Sequence, residues 1–399
     1  NVIELQRVEC GLPGDGDAPN GHVTITFHSG VAVYAVCESG MVQKASMDGT
    51  ALWRGNLGDA APDLDGAQWV WASYLTELGG LVCVSRQGHI ATVDGSTGAP
   101  ELVGQVEEGI LAAAWSPDQE LVALVTGAQT LLLLTASFEV SSQEAMDPFD
   151  VAEPVTLSWR GDGQFLTCST VEPGRGRTVR VWGRSLEPHA LGRQEDGSAV
   201  PSLSAALAWR PDGALIASAQ SQRRATRVVF FERNGLTHGH FPLPGADPRR
   251  VRVPWVLWNG TSELLAVAWE ERMDNGKGGA VAEGGAAVHG GATAEGGAAA
   301  GEVWAVTRVQ LWGRDNYQWQ LRRELRVSDP LASVAGAAWD PESPLRLALA
   351  SGGSLAVLDL GWETAVSPGP RAVLAVVDGP VVGLTPTAAA VVAPPSCAQ

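Results

Sequence analysis

Cysteine is scarce in this sequence and irregularly placed. The five cysteines form no C-x-x-C pair and their number is odd, so neither a disulfide framework nor a zinc site follows from their spacing. A reducing compartment is the simplest interpretation. Long apolar runs are also missing, since none approaches the roughly 18 residues that a membrane-spanning helix needs. The first residues, from Asn1 onward, lack the basic and apolar segments of a signal peptide.

Charged residues are scarce as well. They make up 18 % of the 399 residues, and acidic ones dominate, which gives a formal net charge of −17 at pH 7. A chain this acidic does not attract phosphate as a whole, so any contact with nucleic acid must be local or made through a partner. By contrast, 48 glycines and 24 prolines accompany an apolar fraction of 45 %. This balance favours many short strands joined by turns over long amphipathic helices.

One phrase recurs along the chain: a large aromatic residue, a short turn sequence and then a short apolar run. Seven positions carry the aromatic residue: Phe27, Trp71, Trp115, Trp159, Trp209, Trp258 and Trp339. The intervals between them are 44, 44, 44, 50, 49 and 81 residues, and without the Gly/Ala-rich stretch 273–302 the last would be 51. Intervals of this length are typical of the blades of a WD40-type β-propeller. The sequence therefore predicts an all-β, seven-bladed propeller.

The chemistry of the phrase supports this prediction. Pro-Asp-Gly at 211–213 and Gly-Asp-Gly at 161–163 form tight turns, because proline presets φ, aspartate bonds its own backbone and glycine accepts positive φ. The tryptophan before the turn is a large apolar wedge that suits the space between neighbouring twisted blades. We therefore interpret the seven anchors as structural. No unit can bury both of its faces alone, so stability requires the stacked ring. The blade-sized period disfavours the alternatives, a β-sandwich or a solenoid.

Several stretches resemble the Elongator complex protein 1 family, the largest subunit of Elongator. They are residues 109–122, 155–165, 179–182 and 206–218, and above all the segment 229–241, which contains Phe-Phe-Glu-Arg-Asn-Gly. The resemblance covers nearly the whole chain and is firmest from residue 109 to 241. It implies the first N-terminal propeller of that subunit, which is normally followed by a second propeller and a long helical region.

The resemblance also implies a function. Elongator is a six-subunit assembly that modifies the wobble uridine of certain tRNAs. Its chemistry belongs to a different subunit, a radical S-adenosylmethionine and acetyl-CoA-dependent enzyme, whereas the subunit resembled here is the scaffold and dimerisation platform. We therefore expect a non-enzymatic chain with no cofactor, metal or membrane contact, whose partners are the other Elongator subunits, including the catalytic one. Contact with tRNA would be weak or indirect, and the location cytoplasmic with the nucleus as a second compartment.

The expected domain boundaries follow from the repeat and the resemblance. The first propeller covers residues 1–366, with 275–301 as a disordered Gly/Ala-rich insertion peculiar to this chain. Residues 367–399 are expected to supply a closing strand and a linker toward a second propeller, which is missing here together with the family's helical dimerisation and basic tRNA-binding regions. The link between Phe138 and Val155 is shorter than in relatives. Either a true deletion or a gene-model error would explain it, and it leaves the edge of the third or fourth blade open.

Arginines are concentrated in equivalent connections of two adjacent predicted blades. We call them the basic rim, and they are Arg175, Arg177 and Arg180 in one unit and Arg223, Arg224 and Arg227 in the next. Such a rim would contact tRNA phosphate or an acidic partner, while the alternative is ordinary solvated arginines. His238 and His240 share a strand face but lack further metal ligands, so a structural or solvent role is favoured.

Two other classes of function stay open at this point. One is a WD40 adaptor of another complex, such as a ubiquitin-ligase substrate receptor. It predicts the tryptophan turns but not the segment 230–235. The other is a propeller enzyme, which predicts acid–base residues converging on the channel mouth; no catalytic constellation of this kind is visible in the sequence.

Overall fold

The computed structural model describes residues 2–12, 21–64, 66–272, 304–315, 318–325, 327 and 333–363, together with the backbone strands at 373–378, 381–386 and 396–398. Within these residues, four-stranded antiparallel sheets follow one another along the chain. Two short 3-10 helices, Leu57–Ala60 and Pro62–Leu64, lie between the first two sheets.

Each sheet is a blade whose strands are used in chain order from the inside outward. Blades 1 to 4 consist of β2 (Val23–His28), β3 (Ala32–Cys37), β4 (Met41–Ser46) and β5 (Ala51–Asn56); β6 (Trp69–Leu75), β7 (Gly80–Ser85), β8 (His89–Asp94) and β9 (Pro100–Gln105); β10 (Ile110–Trp115), β11 (Leu121–Thr126), β12 (Thr130–Thr135) and β13 (Val140–Ala145); and β14 (Thr156–Trp159), β15 (Phe165–Glu172), β16 (Gly176–Gly183) and β17 (Pro188–Leu191).

Blades 5 to 7 continue the pattern. They consist of β18 (Leu203–Trp209), β19 (Ile216–Ser221), β20 (Thr226–Phe231) and β21 (Thr237–Pro242); β22 (Val251–Trp258), β23 (Leu264–Arg272), β24 (Trp304–Asp315) and β25 (Gln318–Leu325); and β26 (Val334–Trp339), β27 (Arg346–Ser351), β28 (Ser354–Trp362) and β1 (Val2–Gly11).

The ring is closed by the first strand of the chain. β1 pairs antiparallel with β28, from Val2 opposite Trp362 to Gly11 opposite Ser354, and so becomes the outermost strand of blade 7. The closing strand thus comes from the N-terminal end and not from residues 367–399, where we expected it. The described strands of that segment, β29 (Val373–Asp378), β30 (Val381–Pro386) and β31 (Ser396–Ala398), form a sheet of their own.

Burial within a blade is greatest in the second strand and falls toward the outermost strand. The second strands are buried on both faces, as in β3 and β7, because a neighbouring blade packs against each side. The first strands alternate, as in β2, since every other side chain faces the central channel. The fourth strands, such as β13, are largely exposed. This gradient explains why the continuous apolar runs of the sequence follow each tryptophan turn, whereas the outermost strands carry polar residues.

The hydrophobic core lies between blades. Every pair of neighbouring blades shares a cluster of buried side chains, including the pairs formed by blades 6 and 7 and by blades 7 and 1. The prediction of a seven-bladed propeller is therefore confirmed. Blades 3 and 4 each have four strands in spite of the short link between Phe138 and Val155. The Gly/Ala-rich segment 275–301, between β23 and β24, lies outside the described residues.

The turns after the first strands have the geometry that the phrase requires. Gly163 and Gly213 adopt positive φ, at 66° and 78°, and each amide bonds back three residues, to the carbonyls of Arg160 and Arg210, at 2.8 Å. The same turn position in blade 3 is Gln119, at φ 59°. A left-handed residue without glycine's freedom costs about 1 kcal/mol or more, which the ring packing offsets.

Candidate functional site

The seven innermost strands line a central channel of about 1010 Å³. Its walls are mainly small and apolar. Among the described residues of the lining, the titratable side chains are His22, Arg252 and Glu270. The Arg252 Nε donates to the buried Glu270 carboxylate at 2.6 Å, and the Ser333 hydroxyl contacts the same carboxylate. The two opposite charges thus neutralise each other in the channel wall.

The predicted anchors all lie on innermost strands, and two of them donate a hydrogen bond to the preceding blade. The indole Nε1 of Trp159 in blade 4 donates to the Ala114 carbonyl of blade 3 at 3.0 Å, and Trp339 of blade 7 donates to Leu257 of blade 6 at 3.2 Å. A buried indole needs such an acceptor, and it finds one on the adjacent blade. These tryptophans act as wedges between blades.

In blade 2 the equal spacing of the anchors selects Trp71, which is not at the strand position that the other anchors occupy. Six of the anchors pair with the first or second residue of their second strand, as in Trp115 opposite Val122. They are Phe27, Trp115, Trp159, Trp209, Trp258 and Trp339. The corresponding partner in blade 2, Leu81, lies opposite Tyr74, whereas Trp71 lies opposite Val84 and lines the channel. Tyr74 stacks on His28 of blade 1, with the ring centroids 4.4 Å apart. Tyr74 is therefore the structural equivalent of the other anchors.

In an antiparallel meander, successive turns lie on opposite edges of the sheet. We call the edge with the turns after the first and third strands face A, exemplified by residues 210–213 and 232–235. The opposite edge, with turns such as 173–175 and 222–225, is face B. Both arginine clusters of the basic rim belong to the second turns and third strands of blades 4 and 5, so the structure places them toward face B.

The blade 4 half of the basic rim is neutralised by carboxylates. The buried Glu172 accepts from Arg180 Nε at 2.7 Å and from Arg175 Nη1 at 3.3 Å, and Arg180 also contacts Asp147. Arg177, whose side chain is 7 % exposed, donates to the Pro154 carbonyl at 2.7 Å. These arginines fasten the connection before β14 to its blade, and most of their charge is used internally.

The pKa of Glu172 reflects this network. Burial raises the pKa, but the bonds donated by Arg180 and Thr178 outweigh burial and leave the pKa below its ordinary value. Glu172 is therefore ionised at neutral pH and holds the positive charge of Arg180 in place. For Arg177 burial is the largest influence and lowers the pKa.

The blade 5 half of the basic rim differs. Arg223 and Arg224 form the tip of the turn between β19 and β20, both are exposed, and neither side chain has a hydrogen-bond or ion-pair partner within the described part of the chain. Arg227 is partly buried and donates from Nε to the Gln220 amide oxygen at 2.8 Å. The two halves therefore do not form one equivalent surface: the accessible positive charge lies at Arg223 and Arg224.

Sequence reasoning missed a second group of arginines, which lies on face A around blade 5. Arg160, Arg210, Arg233 and Arg314 line one pocket of about 390 Å³ together with His238. They were hidden because they come from three different turns and from the end of β24. A signal did exist: Arg233 belongs to the Phe-Phe-Glu-Arg-Asn-Gly segment, whose charged residues are not needed for blade packing.

Across the described ranges, no three histidine, cysteine, aspartate or glutamate side chains converge on a possible metal position. The His238 Nδ1 lies 2.8 Å from Glu232 Oε1, and His240 is exposed on the same outer strand. None of the helices among the described residues has the length and apolar character to cross a bilayer.

Comparison with known proteins agrees with the fold. The family described as ELP1 first N-terminal beta-propeller matches residues 28–156 and 149–342. Elongator complex protein 1 of Oryctolagus cuniculus is 34 % identical over 364 residues, which cover 79 % of this chain and 25 % of that protein. The Saccharomyces cerevisiae protein of the same name is 26 % identical over 404 residues, covering 81 % and 27 %. The chain thus spans about a quarter of the length of these curated relatives. On the extent of the family match, the chain belongs to the Elongator complex protein 1 family and contains its first N-terminal propeller.

Proposed function

We propose that this chain is part of the scaffold subunit of Elongator and supports modification of the tRNA wobble uridine through protein–protein contacts, without catalysing a reaction itself. The observation that carries the proposal is the family match to residues 28–156 and 149–342, which make up most of a closed ring. The channel supports it: the charges in its wall, Arg252 and Glu270, are paired with each other and not presented to a substrate. Rigid blades with many exposed edges and turns suit docking of several partners.

Affinity purification of the tagged full-length protein tests the assembly. We expect recovery of the radical S-adenosylmethionine and acetyl-CoA-dependent subunit in stoichiometric amount. A WD40 adaptor of another complex, such as a ubiquitin-ligase substrate receptor, would instead bring down a different set of subunits. Reproducible purification without any Elongator subunit would overturn the proposal.

The modification itself gives a second test. Deleting the gene should abolish the modified wobble uridines in bulk tRNA, measured by mass spectrometry of digested nucleosides, and re-expression of the full-length protein should restore them. Unchanged modification after deletion would contradict the proposed role. We also propose that the protein acts in the cytoplasm, with the nucleus as a second compartment, which imaging of the tagged protein would check.

Within this function, we propose Arg223 and Arg224 as the part of the basic rim that contacts tRNA phosphate or an acidic partner surface. Their exposure supports this assignment, as does the absence of a counter-charge near them among the residues that the structure describes. Reversing both charges to glutamate should weaken tRNA affinity or complex assembly. Arg86 is a matched control, since it is exposed in the second turn of blade 2 on the same face. If the double reversal behaved like Arg86→Glu in both assays, the rim would have no such role.

A further inference from the structure

The pocket on face A, which we call the arginine pocket, carries an unusual balance of charge. Its lining includes four guanidinium groups but one carboxylate, and the charged and titratable members are Arg160, Arg210, Glu232, Arg233, His238 and Arg314. Arg160 and Arg210 lie 3.5 Å and 3.2 Å from Asp162 and Asp212 of their own turns, so the charge that needs an explanation is that of Arg233. Packing alone does not provide one, because Arg233 is exposed.

Arginines at one equivalent position of three consecutive blades show how such a charge is normally balanced. The equivalent arginines are Arg184, Arg233 and Arg314. Each follows by two residues an aromatic residue of the third strand that pairs with the fourth strand, namely Trp182, Phe231 and Trp312. In blade 4, Arg184 reaches back to the first turn of blade 3, where its Nη1 lies 2.8 Å from Asp118 and its Nη2 lies 2.7 Å from Glu120. Two carboxylates of the preceding blade therefore neutralise it.

Arg233 lacks this compensation. The equivalent turn positions of the preceding blade 4 hold Asp162 and Gln164, so the second carboxylate is replaced by an amide. Asp162 is already 3.5 Å from Arg160 of its own turn. Arg233 instead places its guanidinium 5.0 Å from the Phe165 ring centroid, and no carboxylate of the described residues lies within ion-pair distance of it. A positive charge is thus left facing the pocket.

The turn that carries Arg233 is built so that its own glutamate does not neutralise it. The Glu232 carboxylate is engaged by Asn234 Nδ2 at 3.0 Å and by His238 Nδ1 at 2.8 Å. Gly235 adopts a φ of 82° and accepts from the Arg193 amide at 2.8 Å, which ties the turn to blade 4. Arg233 is therefore presented on a rigid turn, and a ligand would bind without ordering a loop first.

We infer that the arginine pocket binds a carboxylate side chain from an acidic segment of a partner protein. Guanidinium groups match a carboxylate with two parallel hydrogen bonds, and the neighbouring Phe165 and Trp258 rings, each stacked by an arginine, hold these groups in orientation. A nucleic-acid backbone fits less well. The pocket of about 390 Å³ admits a single anionic group, whereas a phosphate backbone is normally bound along an extended basic patch or stripe. This inference does not depend on the role in tRNA modification.

The test uses the purified full-length protein and a fluorescein-labelled hexaglutamate peptide, with binding followed by fluorescence anisotropy at low ionic strength. Arg233→Gln should raise the Kd about tenfold, because a charge-assisted bond is lost. Gln164→Glu is the sharper variant: it keeps every pocket arginine and supplies the carboxylate that Glu120 provides in blade 3. It should weaken peptide binding to the same extent, since the new side chain would pair with Arg233.

Arg86→Gln removes the same charge from an exposed turn on face B and serves as the matched control, for which we expect an unchanged Kd. An equal loss of affinity in Arg86→Gln and Arg233→Gln would show that the peptide responds only to overall charge and would overturn the inference. So would a failure of the wild-type protein to bind the peptide. A third contrary result is weaker tRNA binding in Arg233→Gln with unchanged peptide binding, which would make the pocket a nucleic-acid contact.

Discussion

The seam where the ring closes makes a sharp prediction at Gly336. This glycine lies on β26, the innermost strand of blade 7, and packs against the innermost strand of blade 1. A Cβ atom at Gly336 would lie 1.8 Å from the Val23 carbonyl oxygen and 2.9 Å from its carbonyl carbon. The obstacle is backbone, so no side-chain rotation relieves it. Gly336→Ala must therefore push two strands apart where blades 7 and 1 share their buried core.

The expected cost is at the upper end of what overpacking produces, about 3 kcal/mol, because a strand and not a side chain has to move. That free energy corresponds to a change of more than about 100-fold in the folding equilibrium. Urea titration followed by tryptophan fluorescence would measure it as a lower midpoint at an unchanged slope.

Gly104→Ala is the matched control for this experiment. Gly104 lies on the outermost strand β9, has no atom within 4 Å of the position that a Cβ would occupy, and does not adopt positive φ. Alanine there should be neutral or stabilise by about 0.5 kcal/mol, since it reduces the freedom of the unfolded chain. If Gly336→Ala proved as stable as Gly104→Ala, the close approach of β26 and β2, and with it the packing at the closure, would be refuted.

Three further outcomes are expected. Glu172→Gln should lower the free energy of unfolding by about 2 kcal/mol in urea titration, because the buried bond to Arg180 loses its charge. The pKa of Glu172 is lowered in the folded state, so its stabilising contribution is full above the unfolded pKa near 4.3 and disappears as the pH falls below that value. The wild type should therefore lose more stability than the variant between about pH 5 and pH 3. Equal losses would contradict the network. Tyr74→Ala should cost about 3 kcal/mol and more than Trp71→Ala, since Tyr74 is the wedge between blades; the reverse order in thermal unfolding would refute the register. Deleting Val2–Gly11 should expose β28 to limited proteolysis at native pH, whereas resistance equal to that of the intact chain would argue against closure by β1.

The architecture could be predicted from the sequence because its determinants are local and repeated. A tryptophan, a tight turn and an apolar strand occupy about a dozen consecutive residues, and the same physics acts on each copy. The left-handed Gly163 and Gly213 follow from the same short phrase. Where the phrase weakens, local reasoning loses accuracy: the spacing selects Trp71, while the strand register selects Tyr74 three residues later.

Closure of the ring could not be predicted in this way. β1 contains neither a tryptophan nor a turn phrase, and its partner β28 follows more than 340 residues later in the chain. Only the structure shows that β28, the third strand of blade 7, has a free hydrogen-bonding edge that a fourth strand must fill. The alternation within β1 is compatible with the outer position of any blade, so its sequence alone does not specify which sheet it joins.

The candidate sites depend even more strongly on residues that are far apart in the chain, because an arginine is available to a partner only when no carboxylate pairs with it. Arg184 and Arg233 occupy the same position of adjacent blades and follow similar strand sequences, yet Arg184 is neutralised by residues more than 60 positions away in the chain. The same holds on face B, where a cluster of three arginines in blade 4 is internally paired and the turn of blade 5 is not. Charge that is available for a partner is therefore a property of the ring and not of any one repeat. A substitution such as Gln164→Glu, in a turn of one blade, is expected to switch off a binding group that belongs to the next.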